Sequence, residues 1–138
     1  MNDSDAMATL LNELYASFAS GDPTVWIDSL APDVVLIGTD PAEWWQGKDA
    51  VTDVVKAQLG EMSSAGMRLV GGANPHIGVL DGSAWIADQP VMHLHDGTEV
   101  PLRLTLVASF QGGTAKVQHM HLSVGAANEE MLQQELTI

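Results

Sequence analysis

The sequence predicts an α+β domain in which amphipathic helices from the first half pack on a curved antiparallel sheet built from the second. Apolar residues recur at three- and four-residue spacing through Met62 and then give way to long strand-like runs. Those runs are separated by Asp81-Gly82, Asp96-Gly97 and Gly112-Gly113, pairs suited to two-residue hairpins. Charge divides along the same line: residues 1–61 hold eleven acids and two lysines, residues 62–126 four acids and three bases, and residues 127–138 three acids. A sheet half with so few charges cannot coat a solvated face, so both its faces should be covered.

The first helix is marked by Met7, Leu10, Leu11, Leu14, Tyr15 and Phe18, which fall on one stripe, with Ser4 or Asp5 as the expected N-cap and Gly21 as the stop. Asp22-Pro23 opens a short second helix carrying Val25, Trp26 and Leu30. Asp33–Gly38 reads as a β-branched strand, punctuated by Thr39-Asp40-Pro41. Beyond Gly47, a further helix places Val51, Val54, Val55, Leu59 and Met62 on one side. Met67–Leu80, Ser83–His95, Thr98–Gln111 and Thr114–Gly125 then form a four-stranded meander. The tail is expected to add a helical turn or two, with Met131 and Leu132 as its contacts, or to fray.

The 138 residues suit one domain over 1–138, with a core at 4–125 and a tail at 126–138. A formal net charge of -13 argues against nucleic acid and anionic membrane surfaces as partners. With 46% hydrophobic residues the chain can nevertheless build a core. The lack of cysteine excludes disulfides, thiolate metal sites and thiol nucleophiles. The start, Met1-Asn2-Asp3-Ser4-Asp5, is acidic and no apolar run follows, so neither a signal peptide nor a membrane span is expected and the protein is placed in the cytoplasm.

If each hairpin has two central residues and no bulge intervenes, register follows. Val91 then faces Leu102, Gln89 faces Leu104, and Leu104 and Leu106 face His121 and His119. One face carries Trp85, Gln89, His93, Leu104, His119 and His121, and the other Ile86, Asp88, Arg103, Thr105, Met120 and Leu122. Helices cover one face. A second copy of the chain is the simplest cover for the other, which predicts a homodimer through the sheet.

Two segments carry a family resemblance. Asp33–Pro41 followed by Glu43-Trp44 and Gly47 resembles the first strand and its exit in the SnoaL-like family of the nuclear-transport-factor-2-like (NTF2-like) superfamily. Arg103-x-Thr105-x-Val107, the Gly-Gly turn and His119-x-His121-x-Ser123 resemble that family's last two strands, an ending shared with the association domain of calcium/calmodulin-dependent kinase II. Ala115 departs from it, where relatives often place a Trp. The resemblance implies a cone-shaped α+β barrel with a hollow between helices and sheet, and dimers or larger rings. It implies no single activity, because relatives include isomerases, cyclases, dehydratases and plain oligomerisation modules.

The expected ligand is a small apolar molecule, with Trp26, Trp44, Trp85, Gln89 and Leu104 as pocket candidates; core packing is the alternative role for the tryptophans. Metal-free acid–base chemistry, with no cofactor, would use Asp88 or Asp40 as base, Tyr15 as phenolic donor and Arg103, His119 or His121 as stabilisers. The competing reading is structural: Arg103 lies diagonally from Asp88 in the expected register, as in an ion pair, and the histidines could be hydrogen-bonded core or interface residues. A non-catalytic binding or assembly module uses the same groups structurally. His93-x-His95-x-x-x-Glu99 has the spacing of a cupin metal motif, but Asp96-Gly97 makes it a hairpin tip, no second histidine motif matches it, and no metal site is assigned.

Overall fold

In the computed structural model, which describes residues 2–137, the N-terminal stripe becomes α1 (Asp3–Ser20), burying Met7, Leu10, Leu11, Leu14, Tyr15 and Phe18. Asn2 rather than Ser4 or Asp5 caps it, its Oδ1 accepting the Asp5 N–H at 2.8 Å. Gly21, at φ 74°, ends it and donates its N–H to the Ser17 carbonyl. The short α2 (Thr24–Ser29) leads directly into β1 (Leu30–Ile37), so the strand starts before Asp33. β2 (Trp44–Gln46) folds back antiparallel on β1, and α3 (Lys48–Ser64) buries Val51, Val55 and Leu59.

Of the four long runs of the second half, the first three each break into two strands and the last forms one. Met67–Leu80 yields β3 (Arg68–Val70) and β4 (His76–Leu80); Ser83–His95 yields β5 (Ser83–Asp88) and β6 (Val91–His93). Thr98–Gln111 yields β7 (Glu99–Pro101) and β8 (Arg103–Gln111), followed by β9 (Thr114–Ser123). Pro75, Pro90 and Pro101 stand at or beside the breaks, where the missing N–H interrupts a ladder. The Leu102 N–H donates to the Pro90 carbonyl at 2.8 Å and holds the broken hairpin together.

The result is two sheets, ordered β2-β1-β9-β8-β5-β4 and β3-β6-β7, an α+β architecture whose sheet curves around the helices without closing. β1 runs parallel to β9, so the larger sheet is mixed rather than wholly antiparallel. The core forms on its concave side, where Ile86, Leu104, Leu106, Ala108, Val117 and Met120 meet α1 and α3.

Register departs from expectation at two places, each by one residue. The Asp96-Gly97 hairpin has a three-residue loop: the Leu94 N–H donates to the Thr98 carbonyl, and Gly97 at φ 89° supplies the left-handed position. Asp88, not Gln89, therefore faces Leu104. The Gly112-Gly113 hairpin keeps its expected pairing from Gln111↔Thr114 to Ala108↔Val117, but Gln118 bulges, so His119 faces Val107 and His121 faces Thr105. A one-residue slip exchanges faces. Asp88 turns inward with Leu104, while Arg103, Thr105, Val107, His119 and His121 share the outer face.

The expected diagonal pairing of Asp88 with Arg103 is thereby corrected. α4 (Asn128–Leu132) forms in the tail, but Met131 and Leu132 are largely exposed rather than packed. Among the described residues no helix is long and apolar enough to cross a membrane.

Candidate functional site

The exit from β1 builds the first part of the site. Gly38 and Glu43 are joined by a backbone bond, the Gly38 N–H donating to the Glu43 carbonyl at 2.9 Å across the Thr39-Asp40-Pro41 turn. Asp40 organises that turn: its Oδ1 accepts the Ala42 N–H at 2.8 Å and its carbonyl accepts the Glu43 N–H at 2.9 Å. Its side chain is exposed, and the residue does not line the interior.

The turn folds the Glu43 side chain back over Gly38. A Cβ at position 38 would lie 2.6 Å from Glu43 Oε1 and 2.9 Å from Glu43 Cβ, so glycine is what leaves the room. Glu43 Oε1 accepts the Asp40 N–H at 2.8 Å and lies 3.5 Å from Thr39 Oγ1, while Oε2 accepts Gln58 Nε2 of α3 at 2.6 Å. The carboxylate is fixed from both sides.

Glu43 and Gln58 stand on the wall of a cavity of about 270 Å³ between α1–α3 and the concave sheet. The rest of the wall is mainly apolar and includes Phe18, Trp26, Trp45, Met62, Met67 and Met92. Trp26 is held by its Nε1–H, which donates to Ser17 Oγ at 2.7 Å, and by an edge contact with Phe18. This is a half-open, mostly apolar space with a few convergent polar groups, as small-molecule sites use. A wider groove of about 640 Å³ between α1, α2 and the β8–β9 turn is shallow and bears Glu13, Asp22 and Asp28 on its rim.

Asp88 lies elsewhere. It is buried at the end of β5, and its Oδ2 accepts both the Tyr15 O–H at 2.6 Å and the Gly72 N–H at 3.1 Å. Burial, reinforced by the hydrogen bond to Asp88 and its charge, pushes the Tyr15 phenol well above its ordinary range. A Cβ at Gly72 would meet Asp88 Oδ1 and the Gln89 carbonyl, so the loop approaches the carboxylate as closely as glycine permits. Together these bonds pin α1 to the bend between β3 and β4. Tyr15 and Asp88 are brought together as a pair, but neither lines the cone cavity. With Gln89 and Arg103, Asp88 instead borders a separate cleft of about 410 Å³.

The remaining candidates divide between faces. Arg103 is exposed on the outer face, with Nε 3.4 Å from Ser123 Oγ. The His119 and His121 rings stand 6.3 Å apart on that face, edge to face. Trp85 lies outward over Gly78, beside His76 at 6.5 Å, and Trp44 is 60% exposed. Leu104 is a core residue. Of the five residues expected in a pocket, Trp26 alone lines the cone cavity.

His93 Nδ1 lies 3.7 Å from Glu99 Oε1 as a cross-strand pair, with His95 exposed in the loop beyond it. Among the described residues no three metal-binding side chains come together.

Glu43 and Gln58 were not singled out as site residues. The one local signal was Gly38 at a strand end, five residues before Glu43; the partner Gln58 comes from a helix farther along the chain and leaves no motif.

Solved structures with the same architecture cover nearly the whole chain. An NTF2-like protein of unknown function from Pseudomonas putida is 21% identical over 96% of this chain and 92% of its own, with a TM-score of 0.80. The CaMKII hub of S. rosetta is 18% identical over 91% and 98%, at 0.72. A protein provisionally assigned as a ketosteroid isomerase, from Parabacteroides distasonis, is 17% identical over 90% and 89%, at 0.73. At such identities the likeness shows the fold, NTF2-like, and leaves activity open. The curated proteins contain no match. Residues 7–127 match the SnoaL-like domain family, and the chain belongs to it.

Proposed function

We propose that the protein binds a small, largely apolar molecule in the cone cavity. The observation that carries this reading is the combination of a largely apolar concave wall with one carboxylate, Glu43, fixed at both oxygens by neutral donors. A volume of about 270 Å³ falls just below the usual range of ligand pockets, so the ligand is small. Proton transfer of the isomerase, cyclase or dehydratase type would fall to Glu43 on this geometry, because Asp40, Asp88 and Tyr15 lie off the cavity wall.

Trp26 and Trp45 both border the cavity, so their fluorescence reports its occupancy. Titration with a small aromatic alcohol should shift that emission saturably. Met62→Trp, which fills the space from α3, should weaken binding about tenfold or more while the protein stays folded. Unchanged affinity in this variant would place the ligand outside the cone.

A second reading rests on the outer sheet face. None of its positions in β4, β5, β8 and β9 holds Asp or Glu, and it presents Leu80 at 63%, Trp85 at 37% and Val107 at 38% exposure. In a chain of net charge -13, this is the surface on which two copies approach with least repulsion. Self-association in general is in keeping with the hub-like neighbour. Sedimentation should show a dimer at micromolar concentration that Val107→Glu dissociates; a monomeric wild type would end this reading.

A further inference from the structure

Resting on the reading of the cone cavity as the ligand site, we infer that it selects ligands with an apolar body and one cationic head, an aromatic or aliphatic amine, over neutral or anionic isosteres. Glu43 is the counter-ion.

Charge bookkeeping inside the cavity leads to this class. Glu43 is the sole ionisable residue on its wall, which includes no Lys, Arg or His. Among the described residues the one ion pair is His93 with Glu99, so no protein cation lies within pairing distance of Glu43. Its contacts are all neutral: the Asp40 N–H, the Thr39 hydroxyl and the Gln58 amide. A carboxylate offers about four acceptor positions and these donors take at most three, leaving capacity for a ligand N–H.

Each type of ligand head meets a different balance. A neutral head displaces water from a carboxylate that still lacks a counter-charge. A carboxylate head sets two anions side by side against a mainly apolar wall, where like charges repel. An ammonium head supplies the missing charge through a charge-assisted hydrogen bond. The remainder of the wall suits it as well. Trp26 and Trp45 offer aromatic rings, and Met62, Met67 and Met92 offer polarisable sulfur to a cation and its hydrocarbon body. The acidic helical half, which contributes Glu43, also draws cations toward this side of the molecule and repels anions.

The room for Glu43 is built by the backbone. Gly38 opens the space its side chain fills, and the Thr39–Pro41 turn aims one of its donors at Oε1. The carboxylate therefore needs little reorganisation when a cation arrives.

Phenethylamine, phenethyl alcohol and phenylacetate share one aromatic frame and differ in head charge, and calorimetry at neutral pH and low salt compares them on the wild-type chain and on Glu43→Gln. The amine should bind the wild type about tenfold or more tighter than the alcohol, with phenylacetate weakest. Glu43→Gln should bring amine and alcohol to within about twofold, chiefly by weakening the amine. Equal binding of amine and alcohol to the wild type overturns the inference but leaves the cavity as a ligand site, as does an amine preference that survives in Glu43→Gln. Failure of all three to bind the wild type overturns both. The wild-type comparison decides even if Glu43→Gln does not fold.

Discussion

Two carboxylates, Asp88 at the end of β5 and Glu43 after β1, are each held by hydrogen bonds from elsewhere in the chain, yet they do different work. Asp88 is buried and joins three parts of the fold, α1 through Tyr15, the bend after β3 through Gly72, and β5 itself. Glu43 is half-buried, held by its own turn and by Gln58, and faces a cavity. The contrast shows why hydrogen bonding alone does not mark a functional acid. A carboxylate that ties separate elements together reports on stability, and one that borders open space reports on binding.

The largest expected effect tests the structural side of this contrast. Asp88→Ala strands the Tyr15 hydroxyl and the Gly72 N–H in a buried place and should lower unfolding free energy by about 3 kcal/mol in urea titration. Ligand affinity of the folded fraction should not change; a selective loss of affinity would move Asp88 into the binding site.

Tyr15→Phe keeps the ring and deletes one bond, so it should cost about 1 kcal/mol. It also has a pH signature. The folded state holds the Tyr15 phenol's pKa above its unfolded value, so the stabilisation is complete below about pH 10 and declines as pH rises beyond that. Alkaline denaturation of the wild type should therefore steepen above about pH 10, and Tyr15→Phe should lack that component.

Glu43→Gln should change stability least, by about 0.5 kcal/mol or less, because a part-exposed acid bound to neutral donors is replaced by a group of the same shape. A loss comparable to that of Asp88→Ala would show that Glu43 is a structural acid too and remove the distinction.

Much of the architecture was legible locally. The stripe from Met7 to Phe18, Gly21 as its stop, and the Asp81-Gly82 and Gly112-Gly113 turns each encode their element within a few residues, through periodicity or a left-handed backbone. The paucity of charge between residues 62 and 126 predicted that both sheet faces are covered, and one of them packs in the core against the helices. Those signals, with the two family-like segments, were sufficient for the fold.

Tertiary structure decided which side chains share a face and which meet. The three-residue loop before Thr98 and the bulge at Gln118 each shift pairing by one position, and because strand side chains alternate, that is enough to separate Asp88 from Arg103 and to turn His119 and His121 outward. Tyr15 meets Asp88 across 73 positions of sequence, and Gln58 reaches Glu43 from a different element. Periodicity records whether a residue is buried, a property of its own neighbourhood. It does not record which distant residue shares that burial, because that depends on the summed register and curvature of every strand between them.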